Sequence, residues 1–364
     1  MNASRASIYY WKCDRPAAFH GVVRSRETAA AGLLLQLTAL LTEALDGPVT
    51  ITPAGGQGNH RTFLVDHAGE RIFARVEDGP EGDDNLNVES QILIEVGRTG
   101  VPVPRVIFTD ASRTRVPFAV QLIEYFEGSD LNSAYQKGEL ALVKVAAEIG
   151  RNIARWQKVP VCGFGPFDGA RSRVSGQLTG YHNSYETYFQ LHLDRHLGVL
   201  TANGLLSESE SKHTRLLLRM EKGPSPIQNA VLVHKDLALW NIMGTAKGVR
   251  AFIDWDDAIA GDPMDDLSLL ACFYSWEVIQ SAFDGYASER PLPDGHLHHF
   301  WIHLLRNMIV KAVIRCGAGY FTNRANGAFL MGPGQDGPAF KIFTREKLLS
   351  ALHGLSEARA LTDL

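Results

Sequence analysis

Three side chains in the second half of the chain have the types and spacing for phosphoryl chemistry. In "LVHKDLALWNIM" an apolar run breaks at His234, Lys235 and Asp236, returns to Leu and Trp, and reaches Asn241 five residues beyond the aspartate. Asp254 lies 13 residues further on, at the end of "FID". A carboxylate, an amide oxygen and a second carboxylate supply hard oxygen ligands plus one base. Mg²⁺ favours such ligands and keeps room for waters and substrate phosphates. In the phosphoryl-transfer arrangement one acid accepts the acceptor hydroxyl's proton while the other two groups hold metal against a triphosphate.

The elements that must position these residues can be read from periodicity. Residues 27–46, rich in Ala and Leu and stopped by Gly47-Pro48, predict a helix packed on the small lobe. "TFLVDH" and "RIFARVE", separated by Ala68-Gly69, predict an antiparallel hairpin. "NLNVESQILIEVGRTG" reads as a helix, and "PFAVQLIEY" as a strand ending at Phe126-Glu127-Gly128. Beyond Gly128 helices dominate. One carries an apolar stripe at Leu140, Val143, Ala147, Ile153 and Trp156; others are expected near 181–198, 207–221, 265–283, 296–316 and 342–356. Ser207 and Glu210 have capping-box spacing. "AVLVH" and "VRAFID" read as short strands, and the Gly-rich "NGAFLMGPGQDGPAF" as a loop able to form a lid. The class is α+β: a small β-rich lobe, a hinge near 124–128 and a larger helical lobe. The division expected is an extension with a helix over 1–48, a nucleotide-binding lobe over 49–127, and a catalytic and acceptor-binding lobe over 128–364.

Bulk properties exclude several classes. A formal charge of −4 argues against a nucleic-acid binder, and no apolar stretch approaches the roughly 20 residues that span a bilayer. Cys13, Cys162, Cys272 and Cys316 are scattered without a CxxC pair, as expected of free thiols in a cytoplasmic protein.

The run "VHKDLALWNIM…FIDWDDAIAGDPMDDL" resembles the core motifs of the aminoglycoside phosphotransferase/choline kinase-like family, which shares the protein-kinase-like fold. Members usually show H-G-D or H-N-D, then N, then I-D-W-E and G-D-P-x-x-D-L. The resemblance extends through "AGGQGNHRTFLV", "FARV", "VESQILIEVGRTGVPVPRVI" and "VQLIEYFEG", covering most of 49–270. It implies Asp236 as catalytic base and Asn241 and Asp254 as Mg²⁺ ligands. Gly55, Gly56, Gly58 and Asn59 would shape a loop over the phosphates of ATP or GTP. Arg75 would contact phosphate and pair with Glu89, and Glu124 to Phe126 would face adenine through backbone groups. Asp262 and Asp266 would brace the active-site loop, and His234 its turn.

Apart from that resemblance, the alternative for Arg75 is a solvated strand-edge cation, and Lys235, replacing a small residue, is expected to point into solvent. His192 and His196 read as partly buried structural residues, and Asp256, Asp257, Asp262, Asp265 and Asp266 as an acidic run that would attract a cationic acceptor. "IYYWKCDRP" is expected to tuck under the small lobe. The expected function is transfer of a γ-phosphoryl group to a hydroxyl of a small molecule of aminoglycoside, sugar or amino-alcohol type. The alternatives are a nucleotide-binding pseudokinase and a metal-dependent hydrolase.

Overall fold

The computed structural model describes residues 5–15, 30–54, 60–79, 81–219, 229–322 and 336–364. After a short helix α1 (Trp11–Asp14) and helix α2 (Ala30–Ala44), the small lobe is an antiparallel sheet. Its strands are β1 (Thr50–Pro53), β2 (Arg61–His67), β3 (Glu70–Glu77), β4 (Val106–Asp110) and β5 (Ala119–Glu124), in the order β1-β2-β3-β5-β4. Ala68 and Gly69 both take positive φ, 50° and 83°, the geometry of a two-residue turn whose twist matches its strands. The period of two then decides which side chains meet. Ile72, Ala74 and Val76 of β3 face α2, whose Leu33, Leu37, Leu40 and Leu41 cover that side. Phe73 and Arg75 therefore point to the opposite face, where α3 (Asn85–Arg98) lies between β3 and the larger lobe. Strand β4 has no counterpart among the expected elements, because Pro102 and Pro104 crowd its approach.

The chain crosses to the helical lobe through α4 (Leu131–Gln136) and α5 (Leu142–Trp156). The buried stripe of α5 is Leu142, Val145, Ala146, Ile149, Ile153 and Trp156, whereas Val143 is 48% exposed. The predicted stripe holds at Ile153 and Trp156 but is out of phase in the first turns at Val143 and Ala147, because Leu140, though buried, precedes the helix and counting from it rotates the stripe. Next come β6 (Val161–Cys162), β7 (Phe164–Phe167), α6 (Gly169–Ser175), β8 (Leu178–His182), α7 (Tyr185–Phe189), α8 (Leu193–Ala202) and α9 (Glu208–Arg219). The helix expected over 181–198 is broken into a strand end and two helices. Ser184 caps α7, and His192, at φ 55°, interrupts the turn before α8. Ser207 and Glu210 do form the reciprocal capping box, with bonds of 2.7 and 3.2 Å.

Strand β9 (Val231–Val233) and the hairpin β10 (Ile242–Thr245) and β11 (Gly248–Phe252) carry the polar residues from His234 to Asp254, and β12 (Ile259–Gly261) comes next. Helices α10 (Asp265–Ala271), α11 (Trp276–Ala287), α12 (His296–Gly317) and α13 (Gly337–Glu357) complete the lobe. Residues 326–335 of the expected lid lie outside the described residues, and Gly337 to Phe340 belong to α13 instead of a loop. No helix among the described residues is long and apolar enough to cross a membrane.

Helix α5 must approach α11 closely so that Trp156 reaches Asp266 below the His234 loop, and two glycines permit it. A Cβ on Gly285 would lie 2.0 Å from the Ala147 carbonyl oxygen, and one on Gly150 would lie 1.9 Å from that of Ala282. Gly285→Ala should force the helices apart and cost about 1–3 kcal/mol, as overpacking does, measured by chemical denaturation. An unchanged midpoint would mean that the contact is not tight.

Candidate active site

The loop from His234 to Asn241 is fixed before any ligand is considered. The backbone N–H groups of His234 and Lys235 donate to the two oxygens of Asp266, at 2.9 and 3.0 Å, and Trp156 Nε1 adds a third donor at 3.2 Å. Burial pushes the Asp266 carboxyl up to about 7 against these bonds. His234 lies between Trp156 and Trp255. Its Nε2 donates to the Ile253 carbonyl at 3.0 Å, and its Nδ1 accepts the Asp236 N–H at 3.3 Å. Burial holds this imidazole below its ordinary pKa, as that neutral tautomer requires.

Lys235 sits at φ 67°, the left-handed region where Gly or Asn costs least, which explains the small residue usual at this position. Its side chain does not point into solvent, contrary to expectation. It is 1% exposed and donates to Asp265 at 2.6 Å and to Asn307 of α12 at 3.1 Å. A buried partner compensates the backbone strain.

Asp236 is 1% exposed and fully engaged. Its Oδ1 accepts from the Tyr10 hydroxyl at 2.6 Å and Lys311 Nζ at 2.9 Å; its Oδ2 accepts from Lys12 and from Asn241 Nδ2, the latter at 3.0 Å. Burial opposes ionisation, but the Lys12 and Lys311 ammoniums outweigh it and hold the carboxyl well below the usual carboxylate range.

The hairpin joins the other two residues. Ile242 pairs with Phe252, so Asn241 and Asp254 emerge side by side, and Ile253 N–H donates to Asn241 O at 3.0 Å. Asp254 is itself left-handed, φ 64°, with its side chain 36% exposed to the cleft. Arg75 is buried, not a solvated edge cation: its Nη1 lies 2.5 Å from both Glu89 oxygens, and its Nη2 lies 3.3 Å from Asp254 Oδ1. Glu89 also accepts the Trp255 N–H at 3.0 Å, tying α3 to the loop after Asp254.

The donor set fits a hard divalent cation. Asn241 gives its amide N–H groups to Asp236, so its side-chain oxygen is the atom left to meet a metal. Asp257 is buried beside them. Burial, together with the Asp236, Asp256 and Asp254 carboxylates, pushes it up to about 7 despite the pull of Lys12, so the site carries negative charge that a cation would relieve.

The segment "IYYWKCD" does not tuck under the small lobe. It enters the cleft over Asp236. Arg5 anchors one end, bonding Asp83 at 2.7 Å and Asp256 at 3.2 Å. At the other end Asp14 meets His196 at 2.9 Å and Arg195, while His192 Nε2 donates to Ser7 O at 2.6 Å. His196 is fully buried, and burial holds its pKa down to about 4; Arg306 Nη1 donates to its Nδ1 at 3.0 Å. Cys13, Asp14 and His196 lie close enough to hold an ion together, but Arg195 already bonds the Asp14 carboxylate, and with Arg306 donating to Nδ1 the neutral ring carries its proton on Nε2, the nitrogen that faces Asp14. The histidines therefore clamp the N-terminal segment. The acidic run is equally committed. Asp256 binds Arg5 and Asn85, Asp262 meets His299 at 2.5 Å, and Asp265 meets Lys235, so none of these three presents a free face to a cationic acceptor.

Glu124 closes β5, and its N–H is committed to the Arg105 carbonyl at 2.9 Å. Phe126 lines a cleft of about 200 Å³ together with Ser129, Met243 and Arg250. Gly55, Gly56, Gly58 and Asn59 lie outside the described residues. Sequence reasoning missed Tyr10, Lys12 and Lys311. A lysine inside the apolar run "NMIVKAVI" was the available signal for Lys311. Nothing local marks Lys12, which reaches Asp236 across 224 positions.

A small antiparallel lobe with a buried Arg–Glu pair, above a helical lobe that presents Asp, Asn and Asp, is the architecture of kinase-like phosphotransferases. Residues 50–296 match the phosphotransferase enzyme family, and the chain belongs to it. No functionally curated protein matches the chain by sequence. Similar solved structures include a thermostable mutant of aminoglycoside phosphotransferase APH(4)-Ia, in ternary complex with AMP-PNP and hygromycin B. It has 15% identity and a TM-score of 0.60, over 87% of this chain and 98% of that one. A putative fructosamine-3-kinase from Haemophilus somnus 129PT has 14% identity and a TM-score of 0.54, over 87% and 97%. Macrolide 2'-phosphotransferase MphH from Brachybacterium faecium has 17% identity and a TM-score of 0.54, over 83% and 99%.

The Arg75–Glu89 contact makes a coupling prediction. Arg75→Ala leaves the buried Glu89 without its cation, and Glu89→Ala leaves Arg75 with Asp254 as its remaining carboxylate, so each should weaken nucleotide binding and stability by several kcal/mol together. The double variant should be little worse than either, and Arg75→Lys should keep part of the function. Calorimetric nucleotide affinities across the cycle check this; additive losses would mean the two residues act separately.

Proposed function

We propose that the protein transfers the γ-phosphoryl group of ATP (or GTP), with Mg²⁺, to a hydroxyl of a small molecule, and that Asp236 is the catalytic base. The observation that carries this reading is the convergence of Asp236, held ionised, with Asn241 and Asp254 at one hairpin mouth. Asp236 accepts the proton of the acceptor hydroxyl as that oxygen attacks the γ-phosphorus and ADP departs. Asn241 and Asp254 are the residues that would hold Mg²⁺, which when bound neutralises the triphosphate's charge. Arg75, set by Glu89, faces the phosphates. Residues 55–59 would cover them, and the segment from Glu124 to Phe126 would receive the base.

In this reading 49–127 is the nucleotide lobe, 128–364 the catalytic and acceptor lobe, and 1–48 an extension whose first residues enter the cleft. The AMP-PNP and hygromycin B held by the APH(4)-Ia complex support a nucleotide donor and a hydroxyl-bearing small-molecule acceptor. The charge of −4 and four free thiols fit a cytoplasmic enzyme with no nucleic-acid or membrane partner. A pseudokinase would have no reason to keep all three polar residues in place, and a hydrolase no use for the Arg75–Glu89 pair.

The test is an ATP-consumption screen over aminoglycosides, sugars and amino alcohols, with mass spectrometry of any product. Asp236→Asn should lower turnover by about 10²–10⁴ while ADP affinity is retained. Near-normal turnover by that variant would remove Asp236 from the mechanism.

A further inference from the structure

We propose that Lys12, carried into the cleft by the N-terminal segment, is a catalytic residue that contacts the transferring phosphoryl group. The proposal rests on the phosphotransferase reading above.

Geometry places the ammonium on the metal side of the base. Tyr10 and Lys311 bond Asp236 Oδ1, whereas Lys12 bonds Oδ2, the oxygen that Asn241 also contacts. The other acids whose field acts strongly on Lys12 are Asp257 and Asp254. The ammonium therefore lies between the group that takes the acceptor's proton and the residues that would hold the metal. In an in-line transfer the phosphoryl group passes through that interval with charge on its equatorial oxygens, and a preplaced cation there stabilises the transition state without reorganisation.

The other cations around the site are committed elsewhere. Arg75 is bound to Glu89 and Asp254, Arg5 to Asp83 and Asp256, and Lys235, the one cation between His234 and Asn241, turns away to Asp265. Lys311 bonds the other carboxylate oxygen, Oδ1, and is 8% exposed; Lys12 is 22% exposed and so can be reached from the cleft. The segment is not a loose tail. Arg5 fixes one end and Asp14 the other, and the Tyr188 hydroxyl donates to the Tyr9 carbonyl at 2.8 Å between them.

Without nucleotide, Lys12 neutralises Asp236. With ATP bound it exchanges that carboxylate for the γ-phosphoryl oxygens, leaving Oδ2 to receive a proton. The phosphorus–acceptor oxygen bond forms, the bond to ADP breaks, and the acceptor proton goes to Asp236; Lys12 keeps its own protons throughout.

Because the contact is to the γ-phosphoryl group alone, equilibrium binding separates it from a structural role without a known acceptor. Affinities for Mg·ADP and Mg·AMP-PNP are measured by calorimetry on the full chain, for wild type, Lys12→Met and Lys12→Arg, with melting temperatures alongside. Lys12→Met should bind ADP as wild type does and AMP-PNP about tenfold more weakly, as expected for one lost charge-assisted contact. Lys12→Arg should recover part of the difference, and it carries the test if the Met variant does not fold. Equal AMP-PNP affinity, or equal loss for both nucleotides, overturns the proposal. Tighter AMP-PNP binding by Lys12→Met also overturns it and makes the segment a plug. If wild type binds neither nucleotide, the phosphotransferase reading itself fails.

Discussion

A carboxylate taken out of water costs several kcal/mol unless it is paired and hydrogen-bonded, and Asp236 is 1% exposed. Its ionisation depends on donors from its own loop and two remote parts of the chain: Asn241 from the loop, Tyr10 and Lys12 from the N-terminal segment, and Lys311 from α12. Much of the surrounding structure serves to keep those donors in place. Helix α12 is buried along most of its length, yet presents Asn307 and Lys311 one turn apart toward Lys235 and Asp236. Asp266 and Trp156 fix the loop from below, and the glycine contact between α5 and α11 lets Trp156 reach it.

A second buried network runs in parallel. Arg75 bridges Glu89 and Asp254, and Glu89 in turn holds the Trp255 N–H, so the small lobe is registered on the loop carrying Asp254. The two networks come together at Asp254, which Arg75 bonds and whose field acts on Lys12. Left-handed backbone at Lys235 and Asp254 brackets the same region. Strain of this kind persists only where the surroundings over-determine it, and here Asp265 and Arg75 provide that hold.

The hairpin, α3, β5 and the order of the two lobes are legible in the sequence because each rests on local periodicity or on a turn. The pairing of Arg75 with Glu89 is accessible only through family resemblance, since 14 residues of separation carry no geometric information. The phase of α5 is easily misread because Leu140 looks like a helical apolar residue but lies before the first turn. The N-terminal segment is misplaced by sequence for a different reason. Its aromatic residues read as packing material, and nothing in "IYYWKCDRP" shows that Lys12 and Asp236, 224 positions apart, share a hydrogen bond. Long-range polar convergence is a product of tertiary packing.

A crystal structure of the full chain with Mg²⁺ and AMP-PNP would put the assignment of Asp236 to its strictest trial. The metal should lie between Asn241 and Asp254 and the triphosphate beneath Arg75, with the terminal phosphoryl group beside Asp236 and Lys12 turned onto it. A nucleotide bound elsewhere, or one bound in the cleft with its terminal phosphate remote from Asp236, would contradict that assignment.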